Sequence, residues 1–208
     1  RVRSSAASDV YKRQPYNFQK ASILTYVIYL IARPVTQLYS TPEKSPITSW
    51  AYSILGQIYV VLPLALLGVW GYKSDYQLFM NTEYLLMALF VFVWTNDTGA
   101  YIVGCTLGKH RLFERISPKK SWEGFFGGLA FCIILASLAN YIIPGMLSTA
   151  QWIGMGILTS IFSTWGDLCE SLLKRTAGVK DSGKILPGHG GILDRFDSEL
   201  IASPVIFI

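Results

Sequence analysis

The sequence predicts an all-α protein, a polytopic bundle of transmembrane helices with two cytoplasmic loops that form an active site at the membrane interface. Hydrophobic residues make up 51% of the 208 residues, and charged residues only 15%. A soluble domain usually carries about 25% charged residues, so a soluble fold is disfavoured. Apolar runs recur at the length of about 20 residues that a helix needs to cross a bilayer core. Strands are not expected, because lipid cannot form hydrogen bonds with the unpaired backbone N–H and C=O groups at an open sheet edge.

Four apolar runs have the length of a membrane-spanning helix or come close to it, and they cover residues 50–70, 83–104, 124–143 and 151–169. A shorter run, 21–32, is interpreted as the remnant of a truncated span, and 200–208 as the beginning of another. We expect a single membrane-embedded domain over residues 15–208, incomplete at both ends. The polar residues 1–14 match nothing around them and are expected to be a non-native, adapter-derived segment.

The basic residues are concentrated in two loops, residues 108–123 and 171–198. The loop over residues 72–82 has one basic residue, and the loop over 144–150 has none. Two spans separate the basic loops, so both loops lie on one side, which the positive-inside rule makes cytoplasmic. We therefore expect a multi-pass protein of the cell inner (plasma) membrane.

The three cysteines do not predict a metal site or a disulfide framework. Cys105, Cys132 and Cys169 lie far apart and form no C-x-x-C pair. They are interpreted as small apolar residues in or near membrane helices.

Polar side chains at helical spacing follow the last long apolar run, in T-W-G-D-L-C-E-S-L-L-K-R. If the helix continues, positions i, i+4, i+7 and i+8 form one stripe, occupied by Asp167, Ser171, Lys174 and Arg175. A helix end with a solvated charged face is the alternative interpretation. Asp167 argues for a site, because a carboxylate near the last turn opposes the helix dipole and usually has a partner or an ion.

A glycine-rich stretch, K-D-S-G-K-I-L-P-G-H-G-G, covers residues 180–191 and precedes L-D-R-F-D. Successive backbone N–H groups in such a turn form an anion-binding concavity. A helix that begins near Asp194 would add positive potential and place Asp194 and Asp197 on one face. Acids beside so many cations are typical of a divalent metal that bridges carboxylates and phosphates. A flexible polar loop is the alternative, since no P-loop pattern is present. His189 is either structural or solvated, or a general acid for a phosphate leaving group.

The stretch over residues 94–128 carries a third set of polar residues. Asp97 interrupts an apolar run, where inserting a charge costs roughly 3 kcal/mol, so it is a functional candidate. Ser117 and Pro118 predict a helix start, with serine as N-cap and proline in the first position. Lys119 and Lys120 would then lie near a positive helix end and suit an anion. Topology signalling and attraction to lipid headgroups explain the same two lysines equally well.

The ordered residues S-x-x-K-R-x4-K-D-x-G-x2-L-P-G-H-G-G-x-L-D-R-x-D, from Ser171 to Asp197, closely resemble the signature of the phosphatidate cytidylyltransferase (CDP-diacylglycerol synthase) family. The preceding G-D-x-x-E-S and the earlier N-D-T-G-A-Y, G-K-H and S-P-K-K-S-W-E-G-x-x-G-G blocks are similar to the family as well. The two regions that contain these blocks, residues 96–128 and 166–197, cover about a third of the chain.

The resemblance implies transfer of a cytidylyl group from CTP to phosphatidate, with Mg²⁺ and a monovalent cation such as K⁺ as cofactors. The implied metal ligands are Asp167 and Asp194, with Asp181 and Asp197 as alternate ligands. The cations expected to grip phosphates are Lys174, Arg175, Lys180 and Arg195. The turn expected to admit the triphosphate consists of Gly188, His189, Gly190 and Gly191. The other substrate-binding candidates are Asp97, Lys119, Lys120 and Ser171.

Other functions stay open on the sequence alone. A CTP-dependent membrane lipid kinase is one alternative enzyme. A CDP-alcohol phosphotransferase is another, but it would need a D-G-x2-A-R…D-x3-D carboxylate pattern that is not found. A transporter would carry ionisable residues at midplane, where only Asp97 interrupts a span. A lipid-surface binding module would not need the ordered acids and glycines. No nucleic-acid partner is expected, and a homodimer is left open.

Overall fold

Helices form most of the structure in the computed structural model, which describes residues 24–39, 45–71, 82–183 and 190–207. The chain divides into two units, residues 1–55 and 56–208. In the first unit, a helix over residues 24–39 (α1) covers most of the short run expected at 21–32. Trp50 donates a hydrogen bond from Nε1 to Oε1 of Gln37 over 2.9 Å. The predicted segment 1–14 lies outside the described residues.

The remaining elements follow in chain order. They are α2 (Pro46–Gly56), a π-helical turn (Gln57–Val61), α3 (Leu62–Gly71), α4 (Thr82–Leu107), β1 (Arg111–Phe113), β2 (Ser117–Ser121), α5 (Trp122–Ile142), α6 (Thr149–Thr176) and α7 (Leu193–Phe207).

Three of the described helices are long and apolar enough to cross a membrane: Pro46–Gly68, Tyr84–Leu107 and Trp122–Ile142. They correspond to the first three predicted runs and confirm the all-α transmembrane fold class. The fourth run, 151–169, lies within α6 and is helical as expected. Serines and threonines on its buried face leave α6 less apolar than the other three helices.

Side-chain caps explain where α5 and α6 begin. Ser121 accepts a hydrogen bond on Oγ from the backbone N–H of Gly124 over 3.2 Å, at the start of α5. At the start of α6, Ser148 and Gln151 form a reciprocal capping box. Each cap satisfies backbone donors that have no partner inside the helix.

Glycines allow α4 and α5 to pack closely. A Cβ atom on Gly128 would lie 2.5 Å from Oδ1 of Asn96, and one on Gly124 would lie 2.9 Å from the carbonyl oxygen of Ala100. Small residues at such positions let two membrane helices approach backbone to backbone. Gly166 likewise allows α6 and α7 to pack closely, because a Cβ atom added there would lie 2.6 Å from the carbonyl oxygen of Asp197.

A two-stranded antiparallel hairpin connects α4 to α5, which the sequence did not predict. The expected helix start at Ser117 and Pro118 is wrong, because these residues open β2 and the helix begins at Trp122. The lipid argument against strands does not apply to a loop outside the membrane. Glu123 fixes the base of the hairpin, since its Oε1 lies 2.6 Å from Nδ1 of His110 and both of its oxygens accept from the His110 N–H over 3.2 Å.

Candidate active site

Asp167 lies on α6 between a hydroxyl and a lysine. Ser171, one turn later, donates a hydrogen bond from Oγ to Oδ1 of Asp167 over 3.2 Å. Lys120 reaches from β2 and forms an ion pair with Oδ2 of the same carboxylate. Both partners are partly exposed, with 28% of the Lys120 side chain and 31% of the Asp167 side chain accessible. The predicted stripe on α6 is therefore confirmed as a helix face, and Lys120 is directed at this carboxylate rather than at a helix end.

Lys174 continues the stripe and joins α6 to α7. Its Nζ lies 2.8 Å from Oδ1 of Asp194 and 3.4 Å from Oε1 of Glu170. Only 16% of the Lys174 side chain is accessible. Burial alone would lower the pKa of Lys174, but the hydrogen bond to Asp194 and the charge of Glu170 raise it above its usual value. Lys174 therefore stays protonated at neutral pH.

Asp194, in the first turn of α7, holds the two described ends of the glycine-rich loop together. It accepts hydrogen bonds on Oδ2 from the backbone N–H and Oγ of Ser182, both over 2.9 Å, and from the N–H of Gly191 over 2.7 Å. Partial burial opposes its ionisation, but the bonds from Lys174, Gly191 and Ser182 hold its pKa well below the usual range. Asp194 is therefore a fixed negative charge that ties the loop to α6 and α7.

The turn beside Asp194 requires glycine. Gly190 has a φ of 82°, and a Cβ there would lie 2.6 Å from Oδ2 of Asp194. A side chain at this position would meet both backbone strain and the carboxylate. Gly188 and His189, together with the roles predicted for them, lie outside the described residues.

Further acids surround the two aspartates. The charge of Asp97 interacts with those of Lys120, Asp167 and Asp197, so α4 contributes to the same region as α6 and α7. Glu170 is 1% exposed, and neither of its carboxylate oxygens accepts a hydrogen bond from the described residues. Burial and the nearby charge of Asp197 raise the pKa of Glu170. The sequence analysis included Glu170 only as part of the G-D-x-x-E-S block and gave it no role of its own.

A buried polar network that the sequence reasoning missed positions these acids. Asn96 is 2% exposed and donates from Nδ2 to Oγ of Ser163 over 3.2 Å and to Oγ1 of Thr164 over 3.3 Å. Ser160 donates to Oδ1 of Asn96 over 2.6 Å. The network fixes α4 against α6 immediately before Asp97 and Asp167. The sequence contains a pattern that could have indicated this network, because Ser160, Ser163 and Thr164 occur at i, i+3 and i+4 within an apolar run.

The other predicted residues differ in their exposure. Exposed positions are occupied by Lys119, Arg175, Lys180, Asp181 and Arg195. Asp197 is partly buried and accepts on Oδ1 from the N–H of Ser198 over 2.7 Å. The structure thus forms two groups along α6: Asp167 with Ser171 and Lys120 of β2, and Lys174 with Asp194 of α7.

The donor chemistry of this cluster suits Mg²⁺. Among the described residues, no three His, Cys, Asp or Glu side chains are arranged to hold an ion. Magnesium, however, is usually bound by one or two carboxylates together with substrate phosphates and water, rather than by an all-protein cage. Asp167 and Asp194 offer two hard carboxylates of this kind, and each is already occupied by the cationic group of a lysine.

Comparison with known proteins identifies the family of the chain. The family model described as "Cytidylyltransferase family" matches residues 6–208. A phosphatidate cytidylyltransferase of Staphylococcus aureus (strain COL) is 41% identical over 158 residues, which is 76% of this chain and 60% of the relative. The enzymes of that name from Staphylococcus haemolyticus (strain JCSC1435) and Staphylococcus epidermidis (strain ATCC 12228 / FDA PCI 1200) are 41% and 40% identical over 157 residues, with the same coverage. The chain thus spans about 60% of the length of these curated relatives.

Proposed function

Because the chain belongs to the cytidylyltransferase family, we propose that the whole protein transfers the cytidylyl group of CTP to phosphatidate, giving CDP-diacylglycerol and pyrophosphate. Relatives that carry the name phosphatidate cytidylyltransferase support this substrate pair. The observation that carries the proposal is that α6 contributes to two Asp–Lys pairs, one with β2 and one with α7, in a chain with helices apolar enough to cross a membrane. A lipid phosphate at headgroup depth and a water-soluble nucleotide can both reach such a place.

In the proposed reaction, a phosphate oxygen of phosphatidate attacks the α-phosphorus of CTP. The new phosphorus–oxygen bond forms as the bond to the β-phosphate oxygen breaks, and pyrophosphate departs with the electron pair. A phosphate monoester has a second pKa of about 6, so the nucleophile is ionised at neutral pH and needs no strong base. The obstacle is repulsion between two anions, and cationic side chains lower it.

The lysines of the site are suited to that task. Lys120 and Lys174 already lie beside the carboxylates, and Arg175, Lys180 and Arg195 occupy exposed positions from which they can contact a triphosphate. Guanidinium groups can bind phosphate through two parallel hydrogen bonds. We assign the glycine-rich turn, including Gly188 and His189, to the passage of the triphosphate, and the exposed Lys119 to substrate contact.

Mg²⁺ fits the donor set, and Asp167 and Asp194 are the residues that would hold it. When bound, the ion would neutralise charge on the transferring phosphate and on the departing pyrophosphate. Asp97, Asp181 and Asp197 are proposed as alternate carboxylates of the same region, and a monovalent cation such as K⁺ as a further cofactor. Ser171 orients Asp167 through its hydrogen bond.

We place the site on the cytoplasmic face of the cell inner membrane. The support is the charge of the two loops that build it: residues 108–123 and 171–198 each carry five basic residues, whereas the other two loops carry one between them. Basic loops of this kind stay on the cytoplasmic side.

A double-label assay tests the proposal and separates it from a lipid kinase. Membranes that contain the full-length protein are supplied with phosphatidate, with diacylglycerol as a lipid alcohol, and with CTP labelled with ³H in the cytosine and ³²P in the γ-phosphate. Cytidylyl transfer puts ³H into the lipid and leaves ³²P in pyrophosphate, whereas a kinase puts ³²P into the lipid. Asp194→Asn is expected to lose the ³H transfer while still being expressed. Absence of ³H in the lipid for the unaltered protein would refute the proposed function.

A further inference from the structure

Each carboxylate proposed to hold Mg²⁺ is paired with a lysine from another part of the chain. Lys120 of β2 pairs with Asp167 of α6, and Nζ of Lys174 of α6 lies 2.8 Å from Asp194 of α7. We propose that these two lysines are resident counter-cations: they neutralise Asp167 and Asp194 while no metal is bound, and a metal releases them to contact substrate phosphates. This inference rests on the proposed function. It concerns how the carboxylates are neutralised without a metal and how the lysines become available to phosphates when a metal is bound.

The surrounding charge makes such counter-cations necessary. Asp167 experiences the negative charges of Asp97 and Asp197, so without a nearby cation several carboxylates would repel one another in one region. Like charges at short range raise the free energy of the folded state unless a cation or a proton compensates them. Lys120 provides that compensation for Asp167 without requiring an ion from solution.

Lysine is the residue type that can be released from such a pair. Its ammonium group is a compact point charge on a flexible stem, and its hydrogen bonds are not fixed in a planar fork as those of arginine are. Lys120 is also the more accessible of the two lysines, with 28% of its side chain exposed against 16% for Lys174. Glu123 and His110 fix the base of the hairpin. The Lys120 side chain can therefore leave Asp167 by rotation about its own side-chain bonds, without movement of the hairpin.

The exchange would link metal binding to nucleotide binding. If Asp167 and Asp194 held a metal, the ammonium groups of Lys120 and Lys174 would be free to contact the nucleotide phosphates. The carboxylates and lysines cancel one another while no metal is bound, whereas a divalent metal would make the site net positive and so favour the binding of the nucleotide phosphates.

Binding of Mn²⁺, a probe that also prefers carboxylate oxygens, tests the inference without using activity. The full-length protein is purified in detergent micelles without nucleotide, and free Mn²⁺ is measured by electron paramagnetic resonance. Lys120→Met removes the competing cation from Asp167, so the Kd for Mn²⁺ is expected to fall by about fivefold, the effect of one partly exposed ion pair. Lys120→Gln, measured alongside, is expected to give the same shift and guards against a packing defect in one variant.

Lys119→Met is the matched control, because it removes the same charge from the neighbouring exposed position of the same strand. Its Kd for Mn²⁺ is expected to stay within about twofold of the unaltered protein, because Lys119 is exposed and Lys120, not Lys119, forms the ion pair with Asp167. An unchanged or higher Kd in both Lys120 variants, or an equal decrease in Lys119→Met, would overturn the inference. A lower Kd in a protein that makes no CDP-diacylglycerol would refute the proposed function and leave the exchange intact.

Discussion

Replacing Asp194 with asparagine should open the glycine-rich loop, because this carboxylate accepts the hydrogen bonds that join the two described ends of the loop. Asp194 accepts from Lys174, from Ser182 and from Gly191, and only 12% of its side chain is accessible. Asparagine offers one acceptor oxygen in place of two and turns an N–H₂ group toward these donors. The loss of one charge-assisted hydrogen bond costs about 2 kcal/mol, which corresponds to about a 30-fold change in a local opening equilibrium.

Hydrogen exchange of the Ser182 and Gly191 amides measures that opening directly. In Asp194→Asn, both amides should exchange about 30-fold faster, whereas amides in the middle of α5 should not change. Asp181→Asn is the control, since Asp181 is an exposed carboxylate next to Ser182 and closes no loop contact among the described residues. Equal rates in Asp194→Asn and the unaltered protein, or equal acceleration in both variants, would show that the carboxylate does not close the loop.

Two further predictions concern helix packing and metal dependence. Gly128→Ala should lower the unfolding free energy by about 1–3 kcal/mol, because the new Cβ would lie 2.5 Å from Oδ1 of Asn96. Gly154→Ala, with no atom within 4 Å of its Cβ, should instead stabilise α6 by up to about 1 kcal/mol; thermal unfolding in one detergent compares the two, and equal shifts would contradict the packing argument. Chelation of divalent ions should abolish cytidylyl transfer in the full-length protein, and added Mg²⁺ should restore it; transfer that persists after chelation would remove the metal from the mechanism.

Local patterns were enough to predict the helices and part of the site. Apolar length located three helices that can cross a membrane, and helical spacing placed Asp167, Ser171 and Lys174 on one face of α6. The start of α7 near Asp194 was also predicted correctly, since α7 begins at Leu193. These features depend on residues a few positions apart, whose relative geometry a helix fixes by itself.

The partners across elements could not be predicted, because they depend on how distant segments pack. Ser117 and Pro118 suit a helix start as well as a strand, and the pairing of Arg111 with Ser121 decided between them. The sequence left Lys120 equally suited to lipid headgroups and to an anion, whereas the structure pairs it with Asp167. The hydrogen bonds of Asn96 could not be predicted either, because its serine partners lie on a different helix, α6.

The attachment of both loop ends to Asp194 has a consequence for how tightly a nucleotide can bind. A chain segment whose ends are free must lose closure entropy each time it folds around a ligand, and that loss weakens the complex. Here the carboxylate joins Ser182 to Gly191 before any ligand arrives, so this part of the entropy is lost during folding instead. Asp194 would therefore strengthen nucleotide affinity even if none of its atoms ever approached the nucleotide.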